Sequence, residues 1–356
     1  MALARPLLAA LVGDEQVEAL LSDQAQLAAM LAFERALALA ESDAGMISAA
    51  AAVAVGAAID RFKPDWPGLA EGLARDGVLV PELVKQLRAT LEEPFADALH
   101  LGATSQDAID TALMLQLAQI IPIYLERLLT LETGLAELAA ASGAQTLMAH
   151  TRMQSALPFT VADKLRTWLE PLRRQRLALS AMRASLLVIQ LGGPVGNRSS
   201  FAGNGDAVAR SLARHLDLGL ADPWHSGRDP LAGFASVLSL ITGALGKFGA
   251  DIALMAQTEV QGIRLAGGGG SSAMPHKSNP VNAEVLVSLA RHNAGQLGTL
   301  HQALVHENER SGAAWTLEWL VLPQMLVTTA ASLRLANGLV RQISFPEPSA
   351  ASPRSR

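Results

Sequence analysis

The sequence predicts an all-α protein built around an elongated bundle of five helices. Alanine and leucine dominate a 356-residue chain in which half the residues are apolar and only 4% aromatic. Straight-chain and methyl side chains lose little rotamer freedom on a helix, so this composition favours helix over sheet. Apolar residues also recur at alternating steps of four and three, over stretches longer than an average globular helix.

Residues 15–59 read as helices rich in Ala and Leu, and residues 60–100 carry the breakers Pro64, Pro67, Gly68, Gly72, Gly77, Pro81 and Pro94. Residues 1–103 are therefore expected to form a small N-terminal domain of short helices and loops. The central domain, 104–344, opens with a seam through Leu117, Ile121, Tyr124, Leu128, Leu131, Leu135 and Leu138. A second runs from Val161 through Leu165, Trp168, Leu172, Leu179, Met182 and Leu186 to Ile189, with Pro171 expected to kink it. Phe234, Leu238, Ile241, Leu245, Phe248, Ile252 and Met255 form a third, Leu286 to Leu304 a fourth, and residues 313–342 a fifth. Helices this long belong side by side in one bundle. Residues 345–356, rich in proline and serine, read as a disordered tail.

The net charge of −5 is spread without basic blocks, which argues against a nucleic-acid partner. Absence of cysteine excludes disulfides, thiolate zinc sites and a cysteine nucleophile, and accords with a reducing cytoplasm. The apolar run in "ARPLLAALVG" is short for a signal peptide, and no run is expected to span a membrane.

Polar segments interrupt the seams, and residues between rigid helices are where function is usually placed. In "GATSQD", Thr104, Ser105 and Asp107 either cap the following helix or gather donors for an anion. In "MAHTRMQSALPFT", His150, Arg152 and Gln154 alternate, as surface groups or as donors lining a cleft. In "PWHSGRDP", Arg228 and Asp229 make a local ion pair or a binding group, and His225 reads as a surface histidine. The loop "GGGGSSAMPHKSNP", residues 267–280, is not a phosphate-binding P-loop, because His276 rather than glycine precedes Lys277.

"GSSAMPHKSNP" at 270–280 resembles the signature loop of the fumarase/aspartase superfamily, and "GATSQDAIDTA" at 102–112 and "HTRMQSALPFT" at 150–160 resemble its other two segments, in order. The resemblance covers about residues 15–340. "QLGGPVG" at 190–196, "PWHSGRD" at 223–229 and "AQTEVQGI" at 256–263 are similar to the bacterial carboxymuconate-cyclising branch, with the adenylosuccinate lyases next.

The resemblance implies a fumarase/aspartase-like fold without the C-terminal helical domain of that family, paired as a homotetramer whose active sites are each assembled from three subunits. It implies a small anionic substrate carrying three carboxylates, an aci-carboxylate intermediate, and no cofactor or metal. Ser271 becomes the proton carrier and Lys277 its cationic support. Thr104, Ser105, Gln106, His150, Thr151, Arg152, Gln154, Arg228, Ser272, Met274 and Asn279 become substrate-binding residues. Gly267 to Gly270 are expected to adopt positive φ and aim amide hydrogens inward.

One departure bears on the substrate. Most lyases of the superfamily read Arg-Thr-His where this chain reads His150-Thr151-Arg152. Arginine stays protonated and cannot pass a proton to a leaving group. A reaction whose nucleophile is the substrate's own carboxylate needs no such proton.

Overall fold

A computed structural model describes residues 6–270, 273, 274 and 277–346. Ser271, Ser272 and His276, and the tail from residue 347, lie outside the described residues. Twelve α-helices and two small two-stranded sheets make up the described chain.

Six helices precede the bundle: α1 (Pro6–Val12), α2 (Glu15–Leu20), α3 (Asp23–Asp43), α4 (Ala49–Arg61), α5 (Trp66–Asp76) and α6 (Val80–Arg88). Ser22 and Ser48 cap α3 and α4 by accepting the amide hydrogens of Ala25 and Ala51, the role their hydroxyls favour over a helix interior. The five bundle helices are α7 (Ser105–Ser142), α8 (Val161–Leu186), α10 (Asp229–Met255), α11 (Val281–Gln302) and α12 (Gly312–Val340), and they coincide with the five predicted seams. Pro171 lies inside α8, and Pro122 and Pro323 lie inside α7 and α12.

Helix α10 is central, packing on α8, α11 and α12. Its approach to α11 is close because two glycines face that helix: a methyl at Gly246 would meet Ala290 Cβ at 2.5 Å, and one at Gly249 the Ala283 carbonyl oxygen at 2.4 Å. Trp168 of α8 meets Phe248 of α10 edge to face at 5.1 Å. Tyr124 and Asn293 are buried polar residues on the seams. Tyr124 donates to the Leu326 carbonyl at 2.7 Å, which offsets the cost of burying its hydroxyl, and Asn293 Nδ2 donates to Thr329 Oγ1 at 3.1 Å while its Oδ1 has no partner among the described residues.

Several sequence expectations are corrected. Residues 146–160 form an antiparallel hairpin, β1 (Thr146–Thr151) and β2 (Gln154–Thr160), where only a polar interruption was expected. Helix α9 (Gly205–Leu216), which the sequence reading did not single out, packs on α3. Strands β3 (Arg264–Leu265) and β4 (Ile343–Ser344) pair, and Phe345, assigned to the tail, is buried against the core. Among the described residues three helices, α7, α10 and α12, are long and apolar enough to cross a membrane, contrary to the expectation that none would be. In each, more than half of the apolar stretch is buried inside the protein, because neighbouring helices share one core.

Candidate active site

Four segments meet at the N-terminal end of α7. Asp107 holds them together, with no side-chain exposure. Its Oδ1 accepts from the Gly192 amide at 2.8 Å and pairs with His225 Nε2 at 2.8 Å, while its Oδ2 accepts from the amides of Gly193 at 2.9 Å and Thr104 at 3.0 Å. The aspartate therefore both caps the helix and ties in the glycine loop of 190–196 and the 223–229 segment. Gly193 has φ +70°, which lets its amide turn toward the carboxylate. Gln190 adds a second tie: its backbone N–H donates to Thr111 Oγ1 and its side-chain oxygen accepts from the Trp224 amide, both at 2.9 Å.

Gln106 is fully buried and links the remaining pieces. Its Nε2 donates to the His225 carbonyl at 2.9 Å, and its Oε1 accepts from Arg310 Nε at 2.8 Å. These two bonds remove Gln106 from direct substrate contact and make it a support for Arg310, a residue that carried no signal in the sequence. Thr104 and Ser105 remain partly exposed beside it.

Arg228 is corrected outright. It is buried, with its Nη1 and Nη2 on the carboxylate of Asp110, its Nε and Nη2 on that of Glu318, and its guanidinium 4.7 Å from the centre of the Trp224 ring. Burial alone would lower its pKa, but the two carboxylates outweigh that and raise it. A guanidinium engaged in this way is a structural ion pair and not a free anion clamp. Asp229, its expected partner, instead opens α10. His306 lies beside this cluster, 3.6 Å from Glu318, and burial holds its pKa below the ordinary value. His225 is buried rather than superficial, and its Nδ1 has no hydrogen-bond partner among the described residues.

The other two predicted segments lie elsewhere on the protomer. His150, Thr151, Arg152 and Gln154 sit on the exposed hairpin, with Arg152 and Met153 forming its two-residue turn at φ +48° and +64°. His150 is held within the hairpin, its Nδ1 3.1 Å from the Met148 carbonyl and its Nε2 3.3 Å from Ser155 Oγ. Met274 and Lys277 are exposed, and the Lys277 amide donates to the Met274 carbonyl at 3.0 Å. Asn279 closes the loop stem by exchanging backbone hydrogen bonds with Gly269 at 2.8 and 2.9 Å.

The sequence profile of the lyase family matches residues 13–295. The chain belongs to the fumarase/aspartase superfamily. It is 40% identical over 331 residues to a 3-carboxy-cis,cis-muconate cycloisomerase of Pseudomonas aeruginosa, covering 91% of this chain and 72% of that relative. It is 38% identical to the enzyme of the same name from Acinetobacter baylyi, over 92% of this chain and 74% of the relative. The crystal structure of the 3-carboxy-cis,cis-muconate lactonizing enzyme of Pseudomonas putida superposes with a TM-score of 0.89 at 38% identity, covering 96% of this chain and 78% of that one.

In this superfamily member Gly268 and Gly269 serve close packing rather than left-handed turns. None of Gly267 to Gly270 has a positive φ, whereas a methyl on Gly268 would collide with Ser278 Oγ at 2.0 Å and one on Gly269 with Val281 Cγ2 at 2.5 Å. Cavities of about 280 and 480 Å³ flank the stem. A larger one, about 710 Å³, lies between the N-terminal helices and α11–α12, and none of the four segments at the α7 end lines it, so it is not taken as the active site.

Proposed function

We propose that this chain is a cofactor-independent cycloisomerase that lactonises 3-carboxy-cis,cis-muconate, or a close anionic analogue, to 4-carboxymuconolactone in the cytoplasm. A substrate carboxylate oxygen adds to the conjugated double bond, and the electrons released onto the neighbouring carbon are held as an aci-carboxylate. Ser271 delivers the proton that completes the addition, so the product is an isomer of the substrate. No proton moves to or from the attacking oxygen.

The observation that carries this reading is Arg152 at the tip of an exposed hairpin, in the place where most lyases of the superfamily have a histidine. A permanent cation there suits a carboxylate-rich substrate and is unsuited to protonating a leaving amine. Because the hairpin projects from its own protomer, it is free to complete the site of a neighbouring subunit in a homotetramer. Arg228 is left out of the binding set; Lys277, Arg152 and donors at the α7 end share the anionic charge.

The test is to mix purified protein with 3-carboxy-cis,cis-muconate and follow loss of the conjugated-diene absorbance. The expected outcome is cyclisation, with no fumarate released from argininosuccinate or adenylosuccinate. Fumarate release on the order of 10 per second, an ordinary enzymatic rate, would replace the cycloisomerase with a succinyl-type lyase.

A further inference from the structure

Two arginines lie at the α7 end, and their surroundings are opposite. Arg228 is buried between the carboxylates of Asp110 and Glu318. Arg310 is exposed and forms no ion pair among the described residues; its contacts are two neutral carbonyl oxygens, Gln106 Oε1 at 2.8 Å and the Pro194 carbonyl at 3.4 Å. Neutral acceptors fix the direction of a guanidinium without cancelling its charge. The acceptor on Nε is itself immobile, because Gln106 has no exposure and its other end is bonded to the His225 carbonyl. With Nε on Gln106 and one Nη2 hydrogen on the Pro194 carbonyl, Nη1 and the second Nη2 hydrogen remain for a bidentate carboxylate. Gln106, which holds the guanidinium, follows half-buried Thr104 and Ser105 in the first turn of α7, where the helix dipole adds positive potential.

We infer that Arg310 is a specificity-determining cation of the active site, binding one of the substrate carboxylates, and that Gln106 is its positioning residue. The inference rests on the proposed function for the identity of the substrate, but not for the presence of an anion receptor. A preorganised donor of this kind discriminates by charge number: a tricarboxylate gains the contact and an otherwise similar dicarboxylate does not.

The experiment measures calorimetric binding of the unreactive tricarboxylate tricarballylate and the dicarboxylate glutarate to wild type, Arg310→Met, Arg310→Lys and Gln106→Glu, with thermal melts confirming that each variant folds. Wild type should prefer tricarballylate. Arg310→Met should weaken that binding by about tenfold to a hundredfold and erase the preference over glutarate. Arg310→Lys should recover part of it, restoring the charge but not the fork. Gln106→Glu should mimic Arg310→Met although the arginine is retained, since the new carboxylate neutralises it. With carboxymuconate, Arg310→Met should raise KM by a similar factor and change kcat less. Unaltered tricarballylate binding in Arg310→Met, or in Arg310→Lys should the methionine variant not fold, overturns the inference, as does a wild type that binds no tricarballylate. Tricarballylate binding that depends on Arg310 in a protein inert toward carboxymuconate would instead overturn the reaction and leave the anion receptor standing.

Discussion

Glu41 shows how far a single side chain departs from its sequence appearance. It sits on α3 without exposure, neither carboxyl oxygen has a hydrogen-bond partner among the described residues, and burial together with the nearby charge of Glu34 pushes its pKa from the ordinary 4.5 up to about 9. The native state thus keeps a proton that the unfolded chain releases above pH 4.5, so stability from this group is full below that pH and declines as pH rises toward 9. Glu41→Gln should therefore stabilise the fold at pH 8 by roughly a few kcal/mol and by much less at pH 4.5, read from denaturant midpoints at the two values. A pH-independent difference would mean that Glu41 is not the group concerned. The neighbouring Glu34 finds a partner in His100, at 2.7 Å; burial opposes the charge on that imidazole, but Glu34 outweighs it and raises the His100 pKa. If Ser271 carries the proton as proposed, Ser271→Ala should leave folding and tricarboxylate binding intact while removing most of kcat. Near wild-type turnover would move the proton carrier elsewhere, with His276 the first candidate. The start of α7 was legible at this scale, as the capping reading of Thr104 and Asp107 expected. "GATSQD" marked the α7 end correctly, yet Arg228 finds its carboxylates 118 and 90 residues away, at Asp110 and Glu318, a pairing that local sequence cannot reveal.

Among the elements, the long helices were readable because each repeats an apolar face at helical spacing over many turns. The hairpin and α9 were not. Both hairpin strands are largely exposed, so no apolar alternation marks them, and the turn is Arg152–Met153 rather than the Asn-Gly or Asp-Gly pair that signals such a turn. Helix α9 is short, and its Val208 and Leu212 gain their meaning only against α3. The glycines of α10 provide an element-scale test. Gly249 faces the backbone of α11 at contact distance, while a methyl at Gly243 meets nothing within 4 Å. Gly249→Ala should force α10 and α11 apart and destabilise by about 1–3 kcal/mol. Gly243→Ala should stabilise by about 0.5–1 kcal/mol through helix propensity alone. Thermal melts of the two variants shifting in the same direction would contradict the close packing of this helix pair.

Over the whole molecule, the bundle leaves large apolar side chains uncovered on its outer faces, among them Leu129, Leu177, Leu240, Leu254 and Leu320. Such residues on the longest helices suit burial against other copies of the chain. Light scattering at micromolar concentration should give a tetramer, and an active monomer would remove the shared-site arrangement. Asp107 has a consequence of another kind. Its carboxylate gathers amides from Gly192 and Gly193 and the ring of His225, at separations of 85, 86 and 118 residues, and its place inside the protein is tenable only when those donors have arrived. The α7 end should consequently close late in folding, after the intervening α8 and its hairpin have found their positions. Once closed, it cannot open piecemeal without stranding a buried charge. In deuterium-exchange measurements the Gly192 and Gly193 amides should therefore exchange as slowly as the bundle interior, despite lying in a glycine-rich loop.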